Sequence, residues 1–326
     1  MDIREIKIFL ASQLGEVEAQ IDTALESDIS LLNATNRLLR EHPGKMMRPM
    51  LALLVADACG QPNENTYRYA AATELLHNAT LMHDDVVDNA RERRGQPTVA
   101  ALLDNSAAVL VGDYWLVSCM QTVLKAPSEN NRVLRLFADT LGHLAQGELL
   151  QMQKAQAGDT VQEDYLRIIY GKTASLFETA ALSAAWSVGA PDDVASAMGE
   201  FARDLGIAFQ IKDDIFDYRE DLAALGKPVG IDLKEQKITQ PLLCALEGLA
   251  PEEASVIREK VTRIADQPEL AREVRAFVHA RDGVQKATEV MESFIQKAID
   301  CLSCLGESAS KQYLKQLALF VGERNW

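Results

Sequence analysis

Basic surface, paired cysteine and strand patterning are all scarce in this chain of 326 residues. Its 33 lysines and arginines face 48 aspartates and glutamates, and no basic stripe interrupts the resulting net charge of −15. That argues against nucleic acid as the main partner, but not against a small anion held by a few local cations. The five cysteines (Cys59, Cys119, Cys244, Cys301, Cys304) show no metal-ligand spacing beyond one Cys301-x-x-Cys304 pair, adjacent by helical period and read as structural. Cys59 and Cys119 lie in apolar helical context and read as core thiols. The first residues, Met-Asp-Ile-Arg-Glu-Ile-Lys, are charged and amphipathic, so no secretory signal is expected. No apolar run approaches the roughly 20 residues of a membrane span. A reducing cytoplasm is the expected compartment.

Strand-type alternation is nearly absent too. Helical spacing runs through residues 3–24, 29–40, 64–90, 100–125, 129–156, 161–188, 192–222 and 238–323. Breaks rich in glycine and proline fall at 42–44, 60–63, 94–97, 189–191 and 226–230. With no low-complexity stretch or linker, the pattern predicts one all-α domain over 1–326, its helices enclosing a central cavity.

What the chain does have is ordered acid. Asp84-Asp85-Val86-Val87-Asp88 and Asp213-Asp214-Ile215-Phe216-Asp217 are two DDxxD motifs, each set within a helical pattern. At about 100° per residue, the first and last acids of each lie roughly 40° apart on one face. Asp85 and Asp214 stand about 100° to the side. One such motif in so acidic a chain would read as a solvated face. Here Leu81-Met82-His83 and Phe209-Gln210-Ile211 precede the acids, so both motifs emerge from buried helices, where unpaired charge is costly. Two such faces repel unless cations intervene. Oxygen donors without cysteine suit Mg²⁺, which shares its shell between one or two carboxylates and substrate phosphates. The pattern therefore predicts a Mg²⁺–diphosphate clamp.

Such a clamp also needs fixed positive charge. Lys45 and Arg48 are three apart at a predicted helix start, where free N–H groups favour anions. Arg93 and Arg94 follow the first motif, with guanidinium forks suited to phosphate. The plain alternatives are a surface pair and a solvated helix end. His77 lies two turns before Asp84 and about 20° from it, as a phosphate donor or a locally satisfied core histidine. Gly171 beside Lys172-Thr173 permits close approach or a bend. Gln210 shares the second acidic face, and Lys227 and Lys237 flank the glycine-rich loop after it.

Taken together, Gly-Lys-Met-Met-Arg-Pro (44–49), the first motif, Arg-Arg-Gly (93–95), Gly-Lys-Thr (171–173), Phe-Gln-Ile-Lys-Asp-Asp-Ile-Phe-Asp (209–217) and Gly-Lys-Pro-Val-Gly-Ile-Asp-Leu (226–233) resemble the trans-isoprenyl diphosphate synthases, in their longer-chain, octaprenyl-like branch. The family more often has a basic residue after the lysine of the first of these and a small apolar one before its arginine. The resemblance implies the isoprenoid-synthase fold and head-to-tail condensation of isopentenyl diphosphate with an allylic diphosphate. It implies Asp84, Asp88 and Asp213 as direct Mg²⁺ ligands, with Asp85, Asp214 and Asp217 in or near the outer shell and up to three ions. Arg93, Lys172, Thr173, Gln210, Lys227 and Lys237 would hold the allylic diphosphate, and Lys45, Arg48, His77 and Arg94 isopentenyl diphosphate. A homodimer is implied as well.

Chain length is expected to be set beneath the first motif, at Ala79 and Thr80. Similar enzymes with short products commonly place Phe or Tyr there, so a product of C30 or longer follows by analogy, and Ala79→Phe or Tyr should shorten it. The rival readings are a short-chain farnesyl or geranylgeranyl diphosphate synthase, a terpene cyclase, which usually lacks the second DDxxD, and a noncatalytic synthase subunit, which would be free to lose both motifs.

Overall fold

A computed structural model describes residues 3–41, 44–93, 95–126, 131–219 and 230–324. Those residues are almost entirely helical: α1 (Ile3–Phe9), α2 (Ala11–Ala24), α3 (Ser30–Glu41), α4 (Met47–Cys59), α5 (Glu64–Val87), α6 (Val99–Leu102), α7 (Asn105–Leu124), α8 (Arg132–Ala157), α9 (Gln162–Ile169), α10 (Ser175–Ser187) and α11 (Asp192–Asp217). Then come α12 (Ile231–Lys234), α13 (Gln240–Leu246), α14 (Pro251–Thr262), α15 (Leu270–Ala280), α16 (Gly283–Cys301) and α17 (Ala309–Glu323). Within the expected loop at 94–97, Gln96 and Pro97 are instead paired as a strand. β1 (Glu92–Arg93) pairs antiparallel with β2 (Gln96–Pro97), and Gly95 takes the positive φ of 76° that the tight turn demands.

Cα packing divides the chain into two compact units that interleave along the sequence. The first holds Met1–Ala138, Thr179–Gly199 and Cys304–Leu314; the second holds Asp139–Glu178, Glu200–Ser303 and Lys315–Trp326.

In the first unit α5 is the central helix. Its start is fixed by a capping box. The Asn63 side chain accepts from the N–H groups of Asn65 and Thr66, and the Thr66 hydroxyl accepts from Asn63 N–H. Every residue from Tyr69 to Leu76 is buried, the pattern of a helix enclosed on all sides, and α5 packs on α2, α4 and α7. Met50, Leu51, Leu54, Leu75 and Leu76 fill this core, each worth about 1.5–3 kcal/mol of burial. α7 starts where Asp104 accepts from Ala107 N–H. It is long and apolar enough by composition to cross a membrane, which the sequence reading passed over, and under half of it is buried.

In the second unit Phe201, Leu205 and Ile211 of α11 are fully enclosed, as are Val274 and Val278 of α15. Gly283 opens α16 against α13, where a Cβ would stand 2.4 Å from the Pro241 carbonyl oxygen. The five cysteines are free thiols, Cys119 and Cys244 buried and Cys59 partly so.

Candidate active site

Both acidic motifs sit at the C-terminal end of a long helix, not in its interior as the periodicity suggested. α5 ends at Val87 with Asp88 as its C-cap, and α11 ends at Asp217 itself. A helix C-terminus carries partial negative charge, so clustered carboxylates there are doubly unfavourable without cations. The sequence pattern alone exaggerated both helices by a few residues, since apolar spacing continues past the real ends.

In the first unit, Asp85 is buried and accepts from Arg93 Nε at 2.7 Å, across the hairpin that begins just after α5. Burial raises the Asp85 carboxyl, and the Arg93 guanidinium opposes that rise. Asp84 is half-buried and Asp88 exposed. Of the cations expected nearby, Lys45 precedes α4 and Arg48 lies in its first turn, both half-buried, while His77 is half-buried on α5, which packs on α4. Arg94 lies outside the described residues.

In the second unit, the three acids have separate surroundings. Asp213 Oδ1 accepts from Arg324 at 2.7 Å. Asp214 is buried and accepts from the Tyr165 hydroxyl at 2.6 Å and from Gln210 Nε2 at 3.0 Å. Burial pushes its carboxyl up to about 7, with the Tyr165 and Gln210 hydrogen bonds opposing and Asp213 reinforcing the rise. Asp217 ties down the chain that returns after it: its carboxylate accepts from the N–H groups of Ile231 (2.8 Å) and Asp232 (3.0 Å), and its carbonyl from Gly230 N–H. Lys227 lies outside the described residues. Lys237 is half-buried, pairs with Glu235, and joins Lys172, Gln210, Tyr165, Asp214 and Asp232 around a cavity of about 70 Å³.

Lys172 and Thr173 sit in one turn of π-helix, Tyr170–Ala174, between α9 and α10. π-turns of this kind are frequent at functional sites. Glycines on both neighbouring helices explain how it is held. A Cβ at Gly147 of α8 would lie 2.8 Å from Lys172 N, and one at Gly171 would lie 2.6 Å from the His143 carbonyl oxygen. On the other side, a Cβ at Gly206 of α11 would stand 2.6 Å from Ala174 Cα. Wedged this way, Thr173 donates to Gln210 Oε1 at 2.8 Å, and Lys172 Nζ meets Glu148 at 2.6 Å. Thr173, Gln210, Asp214 and Tyr165 thus form one hydrogen-bonded chain.

Sequence reasoning missed Tyr165, Glu148, Asp232 and Arg324. Asp232 stood within the quoted motif at 226–233 without being singled out, and Tyr165, Glu148 and Arg324 left no local signal. Among the described residues no three His, Cys, Asp or Glu side chains already surround one point as a metal cage. The oxygen-only donors nevertheless fit a divalent cation that completes its shell with phosphate oxygens. Two of these carboxylates already draw guanidinium partners, as anions in need of positive charge would.

By fold and by site this is a synthase of the all-α isoprenoid type. A family model described as polyprenyl synthetase matches residues 29–278. The octaprenyl diphosphate synthase of Haemophilus influenzae is 36% identical over 326 residues, covering 100% of this chain and 98% of that one. The crystal structure of a decaprenyl diphosphate synthase from Rhodobacter capsulatus superposes with a TM-score of 0.90 at 33% identity, covering 99% of both chains. A polyprenyl synthase from Caulobacter crescentus, complexed with calcium and isoprenyl diphosphate, gives 0.88 at 29% identity over 100% of this chain and 98% of that one. The chain belongs to the polyprenyl synthetase family, and it is a prenyltransferase.

Proposed function

We propose that the whole chain acts as one long-chain trans-polyprenyl diphosphate synthase domain, adding isopentenyl diphosphate head-to-tail to an allylic diphosphate and reaching C30 or longer. The observation that carries this reading is the pair of DDxxD motifs, each in the last turn of a long helix and each already drawing a guanidinium. The octaprenyl and decaprenyl synthases among its relatives support the long product, as does the absence of an aromatic at Ala79 or Thr80.

In this reading the acidic motifs would hold Mg²⁺ and diphosphate, with Asp84, Asp88 and Asp213 as direct ligands and Asp85, Asp214 and Asp217 behind them. Up to three Mg²⁺ ions, when bound, would supply Lewis-acid neutralisation of charge on the departing diphosphate. Arg93, Lys172, Thr173, Gln210, Lys227 and Lys237 orient that group and stabilise its developing charge. Lys45, Arg48, His77 and Arg94 hold isopentenyl diphosphate so that its double bond meets C1 of the allylic cation. The proton lost afterwards goes to the released diphosphate, so no side-chain nucleophile is needed.

A cytoplasmic homodimer completes the proposal. Leu110, Val117 and Leu124 lie at seven-residue intervals on α7 and are all exposed, with Val109 beside them. Such a stripe suits a helix seam between two copies. Incubation with isopentenyl diphosphate, an allylic diphosphate and Mg²⁺, with and without EDTA, tests the activity. A metal-dependent C30 or longer product supports it. A C15 or C20 product would point to the short-chain reading, and no product at all to a noncatalytic subunit.

A further inference from the structure

A second cavity, of about 330 Å³, opens in the first unit beside the first acidic motif, with the Asp85–Arg93 pair at its edge. Its α5 lining is Asn78, Leu81, Met82 and Asp85. By helical period these average roughly 110° away from the ridge of His77, Thr80, Asp84 and Asp88 that the condensation uses. Apart from Arg93, Gln96 and Thr98, the rest of the wall is apolar, from Leu38 of α3 to Val99 and Leu102 of α6 and Trp115 of α7. The Trp115 indole is pinned by its N–H bond to Asn36 Oδ1 at 2.8 Å. Leu38 and Leu102 are exposed, as mouth residues would be.

The cavity's chemistry narrows what it takes. Its only charged lining residues, Asp85 and Arg93, are paired with each other at 2.7 Å, so a charged ligand would have no counter-ion left. The Asn78 amide nitrogen is already spent on Glu74, and the Thr98 hydroxyl on the Ala90 carbonyl. Asn78 Oδ1, the Gln96 side-chain amide and the terminal N–H groups of Arg93 have no hydrogen-bond partner among the described residues. They give one polar end to an otherwise greasy hollow, and the volume lies within the range of small-molecule pockets.

We propose that this cavity is a second ligand site, bordering the condensation site at the Asp85–Arg93 pair but not using that pair, for an uncharged, largely apolar molecule carrying a single hydroxyl or carbonyl head. The body packs on Leu81, Met82, Val99, Leu102 and Trp115. A hydroxyl head donates to Asn78 Oδ1 and accepts from the Gln96 side-chain amide.

Calorimetric titration of the full chain with 1-naphthol tests this. One saturable site per chain is expected, with 1-naphthoate, its anionic counterpart, at least tenfold weaker. Leu102→Trp, which fills the mouth, should weaken 1-naphthol at least tenfold while leaving the melting temperature and the elongation rate unchanged. If that variant folds poorly, Leu38→Trp makes the same test. Absence of saturable binding overturns the proposal, as does undiminished binding by the filled variants, or naphthoate binding as well as naphthol. Displacement of 1-naphthol by isopentenyl diphosphate or by Mg²⁺ with inorganic diphosphate would place the cavity in the substrate path and overturn it equally.

Discussion

Arg324 reaches from the end of α17 to Asp213, Nη2 to Oδ1 at 2.7 Å, across 111 residues of sequence. The arginine side chain is 3% exposed; it also donates to the Phe209 carbonyl at 2.9 Å and stacks 3.9 Å from the Phe209 ring. Its charge therefore stands where the proposed metal ion would bind Asp213, so guanidinium and Mg²⁺ would compete for one oxygen. Arg324→Gln should cost about 1.5–3 kcal/mol of stability, as loss of a hydrogen bond to a charged group does. The same variant should lower the Mg²⁺ concentration for half-maximal activity severalfold. A metal titration of the elongation rate decides it; an unchanged or raised half-saturation point refutes the competition.

Tyr165 and Asp214 predict how stability depends on pH in the absence of metal. The Asp214 carboxyl is raised to about 7 in the folded protein, from an ordinary carboxylate value when unfolded. Between those values the folded state holds more protons than the unfolded state. Its contribution to stability is therefore full in acid and lost as pH climbs toward 7. In EDTA, Asp214→Asn should gain stability relative to the parent at pH 8 and gain little or none at pH 4, by urea unfolding, while losing activity. Tyr165→Phe should do the opposite. It removes a donor that favours the carboxylate, so its cost of about 1–3 kcal/mol should be larger at pH 8 than at pH 4. Parallel unfolding curves for parent and Asp214→Asn at both pH values would contradict the assignment.

Two glycines on one helix offer an internally controlled test of the π-turn. On α8, a Cβ at Gly142 would meet nothing within 4 Å, whereas one at Gly147 would lie 2.8 Å from Lys172 N. Gly142→Ala should stabilise by up to about 1 kcal/mol through helix propensity. Gly147→Ala should destabilise by about 1–3 kcal/mol as overpacking against backbone. It should also raise KM for the allylic diphosphate, because Lys172 and Thr173 move with the turn. Equal melting shifts in the two variants would remove the wedge from the explanation.

These residues also mark what was legible beforehand. The two acidic motifs stood out because their residue type and spacing repeat, and the α-helical class was readable because its period repeats in almost every segment. Tyr165 and Arg324 were not, since their partners lie 49 and 111 residues away and no local pattern records such a meeting. The pairing of Glu92–Arg93 with Gln96–Pro97 was not foreseen, because two-residue strands leave no alternation to see. The break at Leu10 between α1 and α2 was missed because apolar spacing runs straight across it. The π-turn showed only as Gly171, and its two opposing glycines are far off in sequence.

Thr80 and Ala79 divide the question of product length. Thr80 is half-buried on the ridge that carries Asp84, and its hydroxyl donates to the His77 carbonyl at 2.9 Å, leaving the methyl as its apolar face. Ala79 is 1% exposed and enclosed in the core of its unit. Thr80→Phe should therefore act as a floor under the growing chain. Product should shift to C20 or shorter while the rate of the first condensation stays within about threefold, a change of well under 1 kcal/mol in barrier. Ala79→Phe has no free space for the ring, so it should cost about 1–3 kcal/mol in overpacking before any effect on length can be read. Chromatography of the dephosphorylated products, with melting temperatures for both variants, separates the two effects. If Thr80→Phe still makes the parental chain, the growing product does not descend past Asp84 on that ridge, and the length determinant must be sought on another helix.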